Sequence, residues 1–121
     1  MENPSRPPSL NSDAAMLPLK WSPKEKAIAR RAFDRALARE LEAVLRESKD
    51  KAANIEEPSE LWKLERFLTQ SRQEIKRKYD FRYGVLPRVL AQLLRDERLT
   101  ENDLEGLPHD KLDLIHRMAS L

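Results

Sequence analysis

The 121-residue chain contains no cysteine and only two glycines, Gly84 and Gly106. The lack of cysteine excludes disulfides, thiol catalysis and thiolate metal sites. Two isolated glycines cannot supply a phosphate-binding loop, which needs several closely spaced ones. The two histidines, His109 and His116, do not have the spacing of four residues that metal ligands on one helix prefer, so we expect surface histidines. These absences predict a non-enzymatic protein without a catalytic residue, metal or cofactor.

Long apolar segments are also missing. No stretch approaches the roughly 20 apolar residues of a membrane span, and the N-terminus lacks the charged and apolar regions of a secretory signal. We therefore expect a soluble, cytoplasmic protein. Residues 1–20 contain prolines among serine and asparagine with little periodicity, which predicts a disordered N-terminal arm. Residues 21–121 are predicted to form a single helical domain.

Charge is abundant but nearly balanced. Charged residues make up 36% of the chain, yet the net charge is only +2. Such a composition with few glycines is typical of long, solvated helices. Their basic faces would suit an acidic protein surface or nucleic acid, although the interleaved acidic residues favour simple solvation. A helical nucleic-acid-binding regulator is therefore the less favoured alternative.

Residues 22–82 are predicted to form two long stalk helices. A capping box at Ser22 and Glu25 predicts the start of the first, which should run through about residue 48 with Leu41 on its apolar face. The second is predicted from about Pro58 to about Arg82. The two helices are predicted to be antiparallel.

The remaining residues, 83–121, are predicted to form a small helical head. A third helix around Pro87 has the broadest apolar face of the chain, so it should be the best-buried element. A second capping box, formed by Thr100 and Asp103, predicts a short turn. A last helix should begin at Pro108.

The second predicted helix contains a heptad seam. A stripe this narrow on so charged a helix cannot form the interior of a globule alone, so it should pack against another long helix. The sequence therefore predicts an all-α homodimer in which a helical-bundle stalk bears the head. Positions along the seam recur at steps of three and four residues and are Leu61, Leu64, Leu68, Ser71, Ile75 and Lys78, of which all but Lys78 form the predicted dimer interface.

Trp62 lies beside the seam, about 100° around the helix from Leu61. Two interpretations stay open for this side chain. It is either a half-exposed anchor for a partner protein or a residue packed under the first helix of the same or a partner chain. Arg72 lies one heptad from Glu65 and could form a charge pair with it within or across the dimer.

The chain resembles the fluorescence recovery protein family, most strongly between residues 61 and 95. The resemblance implies a homodimer with a long-helix stalk and a helical head that binds the photoactivated orange carotenoid protein and speeds its return to the resting form. It implies no cofactor. The matching residues include Leu61, Trp62, Lys63, Leu64, Phe67, Leu68, Arg72, Glu74, Ile75, Lys78, Tyr79, Asp80, Arg82, Val89, Ala91, Gln92, Leu93 and Leu94.

The resemblance also implies a partner-binding set, within which this chain departs from the family pattern. Trp62 and Arg72 match it. The family aspartate is replaced by Arg66 and the neighbouring histidine by Glu65, and in the head an exposed phenylalanine becomes Arg88 and a basic residue becomes Leu114. Because the change at position 66 reverses a charge, a family scaffold with a different protein partner is a further alternative.

Overall fold

A computed structural model describes residues 20–121, so the predicted arm lies outside the described residues except for Lys20. The described part is all-α, as predicted, and has no strand between residues 20 and 121. The helices are α1 (Pro23–Ala53), α2 (Leu61–Lys78), α3 (Leu86–Arg95) and α4 (His109–Ala119), with 3-10 turns at Pro58–Glu60 and Glu101–Leu104.

The start of α1 has the predicted capping box. The Glu25 backbone N–H donates to Ser22 Oγ, and the Ser22 N–H donates to the Glu25 carboxylate, both at 3.1 Å. These bonds satisfy donors that a helix start otherwise leaves unpaired. The helix continues to Ala53, beyond the predicted end near residue 48, because no glycine or proline interrupts this segment.

The end of α2 differs from the prediction, because the helix stops at Lys78 and not near Arg82. The next residue, Tyr79, donates its hydroxyl to the Ala36 carbonyl of α1 at 3.0 Å. The Phe81 ring then packs edge-on against Phe33, with the ring centroids 5.0 Å apart. Tertiary contacts with α1 therefore end the helix at Lys78, although the local sequence would allow it to continue.

Together α1 and α2 form the predicted antiparallel stalk. Near the tip, the Lys51 ammonium lies 5.0 Å from the centre of the Phe67 ring. At the opposite end, Lys78 Nζ lies 2.8 Å from Glu40 Oε1. Residue numbers along α1 thus decrease as those along α2 increase, so the two helices of the hairpin are antiparallel.

The core lies in the head, and the first half of α1 belongs to it. Ala29, Ala32 and Ala36 of α1 are completely or almost completely buried, and their small side chains allow close packing with the head helices. As predicted, α3 is the best-buried helix. Its buried residues are Leu86, Pro87, Val89, Leu90, Ala91 and Leu93.

A charged contact joins the 3-10 turn of the head to α1. The Asp103 side chain is only 3% exposed and lies 2.8 Å from the Arg39 guanidinium and 3.3 Å from that of Arg35. The same carboxylate accepts the Thr100 N–H at 2.9 Å, as the second predicted capping box requires. The hydrogen bond from Arg39 is the main reason that the pKa of Asp103 lies well below its usual value.

We expect Asp103 to contribute to the loss of stability in acid. Its pKa is depressed in the folded state, so the contribution is present above the unfolded pKa of about 3.9 and declines as the pH falls below it. Replacing Asp103 with Asn should cost about 2 kcal/mol at pH 6, since hydrogen bonds to charged groups are the stronger class.

Urea unfolding at pH 6 and pH 3 measures this effect. The Asp103→Asn variant should lose less stability between the two pH values than the wild type does. Asp113→Asn, a change at an exposed position within α4, is the matched control. Equal losses in wild type and Asp103→Asn would show that the Arg39 contact has no such role.

Membrane insertion was not expected from the sequence. Within residues 20–121, no helix combines the length and the apolar character needed to cross a bilayer. The predicted cytoplasmic location stays a prediction.

Candidate functional site

The stalk exposes large apolar side chains. Leu41 and Leu45 of α1 and Leu61 and Leu68 of α2 have exposed fractions of 44 to 54%. Over its full length α2 has no buried residue. Water-exposed leucines repeated along two neighbouring helices are typical of an interaction surface. We refer to these four leucines as the stalk face.

The stalk face lies on one side of the hairpin. Val44 and Phe67 line the groove between α1 and α2. Leu45 and Leu68 each follow one of these residues, and one residue turns a helix by about 100° in the chain direction. Because the two helices are antiparallel, these rotations bring both leucines to the same side. Each helix then repeats a leucine farther along the same stripe, at Leu41 and Leu61.

The residues of the predicted seam lie on two different surfaces of α2. Leu61 and Leu68 belong to the exposed stalk face. Ser71 and Ile75 line the groove toward α1 and are half-buried, and Leu64 does the same near the tip. The heptad pattern therefore marks an apolar strip that α1 covers on one edge and leaves open on the other.

The position of Lys78 corrects the heptad interpretation of the second helix, and Leu45 was missed among the apolar positions predicted for the first. The Lys78 side chain is only 9% exposed and points into charged groups between stalk and head, not along the apolar strip. Leu45 could have been found from its spacing of four residues from Leu41. The sequence pattern assigned Leu41 to the apolar face of the first helix, but helical period alone cannot locate the second helix around α1.

The charged groups around Lys78 connect α1, α2 and the end of α3. Lys78 Nζ donates to Glu40 at 2.8 Å and to Asp96 at 2.9 Å. The single hydroxyl proton of Tyr79 is shared between the Ala36 carbonyl and Glu40, whose Oε1 lies 3.1 Å from the hydroxyl oxygen. Arg98 Nε lies 3.3 Å from the same carboxylate. We call these five side chains the Lys78 cluster. Glu40 is only 13% exposed, so it is not the solvated charge that the sequence suggested.

The pKa values of Lys78, Tyr79 and Glu40 are all shifted away from neutral pH. Burial lowers the pKa of Lys78, but hydrogen bonds to Glu40 and Asp96 outweigh it and hold that pKa above its usual value. Burial, followed by the charge of Glu40, raises the pKa of Tyr79. Burial acts to raise the pKa of Glu40, but the contacts with Lys78, Tyr79 and Arg98 together outweigh it and hold that pKa below its usual value. The groups therefore form fixed ion pairs and are unsuited to proton transfer near pH 7.

The predicted partner-binding residues of α2 are all exposed. Trp62 has an exposed fraction of 66%, so its ring does not pack under α1 of the same chain. Glu65 accepts the Thr69 hydroxyl at 3.1 Å. Arg72 is exposed, and among the ion pairs of residues 20–121 it forms none with Glu65. Arg66 is likewise exposed on this helix.

The predicted partner-binding residues of the head lie apart from that group. Arg88 is exposed on α3 beside a groove at the stalk end that Arg77 and Asp80 also line. Leu114 is half-buried on α4. His109 and His116 are exposed, as expected, and the described residues contain no cluster of potential metal ligands.

Similarity to known proteins extends over the stalk and the head. A sequence model of the family described as photoprotection regulator fluorescence recovery protein matches residues 21–119. The fluorescence recovery protein of a Synechocystis species is 38% identical over 101 residues, which cover 84% of this chain and 93% of the relative.

Solved structures of such proteins resemble the fold described above. The fluorescence recovery protein of Fremyella diplosiphon has a TM-score of 0.79 and 37% identity, and the similarity covers 84% of this chain and all of that one. The Synechocystis structure gives a TM-score of 0.80 with 37% identity and the same coverage of this chain. The matched region contains every predicted partner-binding residue.

Proposed function

Because this chain belongs to the fluorescence recovery protein family of photoprotection regulators, we propose that it binds a photoactivated orange carotenoid protein or a related carotenoid-protein domain. In this proposal it accelerates the return of that protein to the resting state. A regulator of this kind works by binding and needs no catalytic residue, in keeping with the non-enzymatic character predicted from the sequence. The observation that most supports a docking role is the exposed Trp62 ring on a helix without buried residues.

We further propose that the protein is a homodimer formed through the stalk face. An isolated two-helix stalk buries too little apolar surface to be stable alone, whereas two stalks can form a four-helix bundle. A two-fold axis would bring the same leucines of both copies together, because such an interface is self-complementary. Leu61 and Leu68 would contact the partner copy directly. Leu64, Ser71 and Ile75 would complete the bundle from the groove side.

Trp62, Glu65, Arg66 and Arg72 then form the proposed partner-binding set on α2, with Arg88 and Leu114 as contacts of the head. An exposed tryptophan beside an arginine is the residue combination enriched among strongly contributing interface residues. The positive charge of Arg66 makes partner choice sensitive to the charge of the surface that it meets. A family scaffold that binds a different protein is therefore the principal alternative.

We expect Arg66→Asp to strengthen binding to a cyanobacterial orange carotenoid protein. The change restores the charge that the family resemblance assigns to this position, so it should convert a repulsive contact into an attractive one. Recovery from the red to the orange form in the dark should be slow with wild type and at least about tenfold faster with Arg66→Asp, which corresponds to about 1.4 kcal/mol. Absorbance spectroscopy measures both rates.

Two further variants make this experiment specific. Adding Arg72→Ala to Arg66→Asp should return recovery to the unassisted rate, because truncation leaves a partner charge unpaired. Arg46→Asp makes the same charge change at an exposed site of α1 and should have little effect. Full acceleration by wild type would refute the importance of position 66. If no variant binds, a different partner is favoured, and binding to duplex DNA tighter than about 10⁻⁶ M at physiological salt would favour the nucleic-acid alternative.

A further inference from the structure

The way in which α2 is attached to the rest of the molecule is unusual for a long helix. Over Leu61–Lys78 it has no buried residue, and its main packing partner is α1. The head core is formed by the first half of α1 together with the residues that follow α2. The last residue of α2, Lys78, is therefore the point at which this exposed helix meets the folded head.

Two different kinds of contact hold the chain at this point. The segment after α2 is anchored by aromatic rings, since Tyr79 and Phe81 both pack edge-on against Phe33 at centroid distances of 5.4 and 5.0 Å. The Lys78 ammonium is held mainly by ion pairs, with Glu40 of α1 and Asp96 at the end of α3, and it also lies 5.9 Å from the centre of the Tyr79 ring. The aromatic contacts fix where α2 ends, whereas the ion pairs act on the helix itself.

The contacts between α1 and the head do not depend on Lys78. Arg39 donates to the Arg98 carbonyl at 2.8 Å and pairs with Asp103. Without Lys78, Glu40 would still accept the Tyr79 hydroxyl and face Arg98, and Asp96 would still accept the Gln92 amide at 3.0 Å. The loss of Lys78 would thus leave the acidic groups partly paired and remove a contact that belongs to α2.

We propose that Lys78 is a positioning residue that sets the orientation of α2 on α1, with the aromatic segment after it as the pivot. This arrangement keeps the α2 part of the stalk face, Leu61 and Leu68, on the same side of the hairpin as Leu41 and Leu45. Such a role affects the mobility of α2 and is independent of the carotenoid-protein partner. It also differs from membership of an apolar seam.

Hydrogen exchange of the full-length protein tests this role. In Lys78→Met, the backbone amides of α2 should exchange at least about tenfold faster than in wild type, whereas those of α3 should change by less than about twofold. Lys78→Arg retains a cation that reaches both carboxylates and should keep nearly wild-type protection. Lys76→Met, at an exposed position of the same helix, is the matched control and should have no effect.

The measurement is repeated in a Leu68→Glu background, so that a change in dimerisation cannot alter the protection of α2. Faster exchange of α2 in both backgrounds supports the proposal. Unchanged exchange of α2, or an equal increase in α3, would overturn it, because Lys78 would then be dispensable or merely a general stabilising residue. Complete unfolding of Lys78→Met, detected by circular dichroism, would overturn it for the second reason. If residue 78 instead belonged to an apolar seam, Lys78→Met would give a tighter dimer.

Discussion

Leu68→Glu should convert a dimer into a monomer. Leu68 lies at the middle of α2 and is 44% exposed in the single chain, so the proposed dimer would bury it. A glutamate there would place an unpaired charge from each copy in an apolar contact, at a cost of several kcal/mol. Because each 1.4 kcal/mol changes an equilibrium tenfold, the dissociation constant should rise by roughly 10³-fold or more.

Light scattering after gel filtration measures the mass of each variant at micromolar concentration. Glutamate has a high helix propensity, so α2 itself should persist in Leu68→Glu. Gln73→Glu introduces the same charge at an exposed position of α2 away from the groove and should stay dimeric. A wild-type protein that is already monomeric at this concentration would refute the dimeric stalk.

Leu90→Ala should strongly destabilise the head. Leu90 is completely buried on α3, at the centre of the core that α1 completes. Truncation removes buried apolar surface and leaves a cavity that the surrounding residues fill only in part. Such changes cost 2 to 5 kcal/mol in general, and we expect about 3 kcal/mol here.

Urea unfolding followed by circular dichroism gives this value, in the Leu68→Glu background so that dimerisation does not contribute. Arg88→Ala, at an exposed position of the same helix, should change stability by no more than about 0.5 kcal/mol. A loss of less than about 1 kcal/mol in the free energy of unfolding for Leu90→Ala would mean that α3 does not form the centre of the core. Removal of so large a side chain from a well-packed core costs more than this.

Local signals in the sequence determined the helices and several of their ends. The Ser22 and Glu25 capping box places the start of α1 because both partners lie within one turn of chain. The broad apolar face of α3 predicts its burial because a helix with so wide an apolar surface must be covered. The family resemblance, which rests on specific residues of α2 and α3, also came from sequence alone and is confirmed by the match to residues 21–119.

The tertiary structure alone decided how the charged residues and the edges of the stalk are used. Lys78 has heptad spacing, yet it points into a charged cluster because Glu40 and Asp96 arrive there from elements distant in the sequence. Helix α2 ends early because Tyr79 finds a hydrogen-bond acceptor on α1. Leu45 became part of the exposed stalk face only once the position of α2 around α1 was known. Helical periodicity records which residues share a side of one helix, whereas long-range packing determines what that side meets.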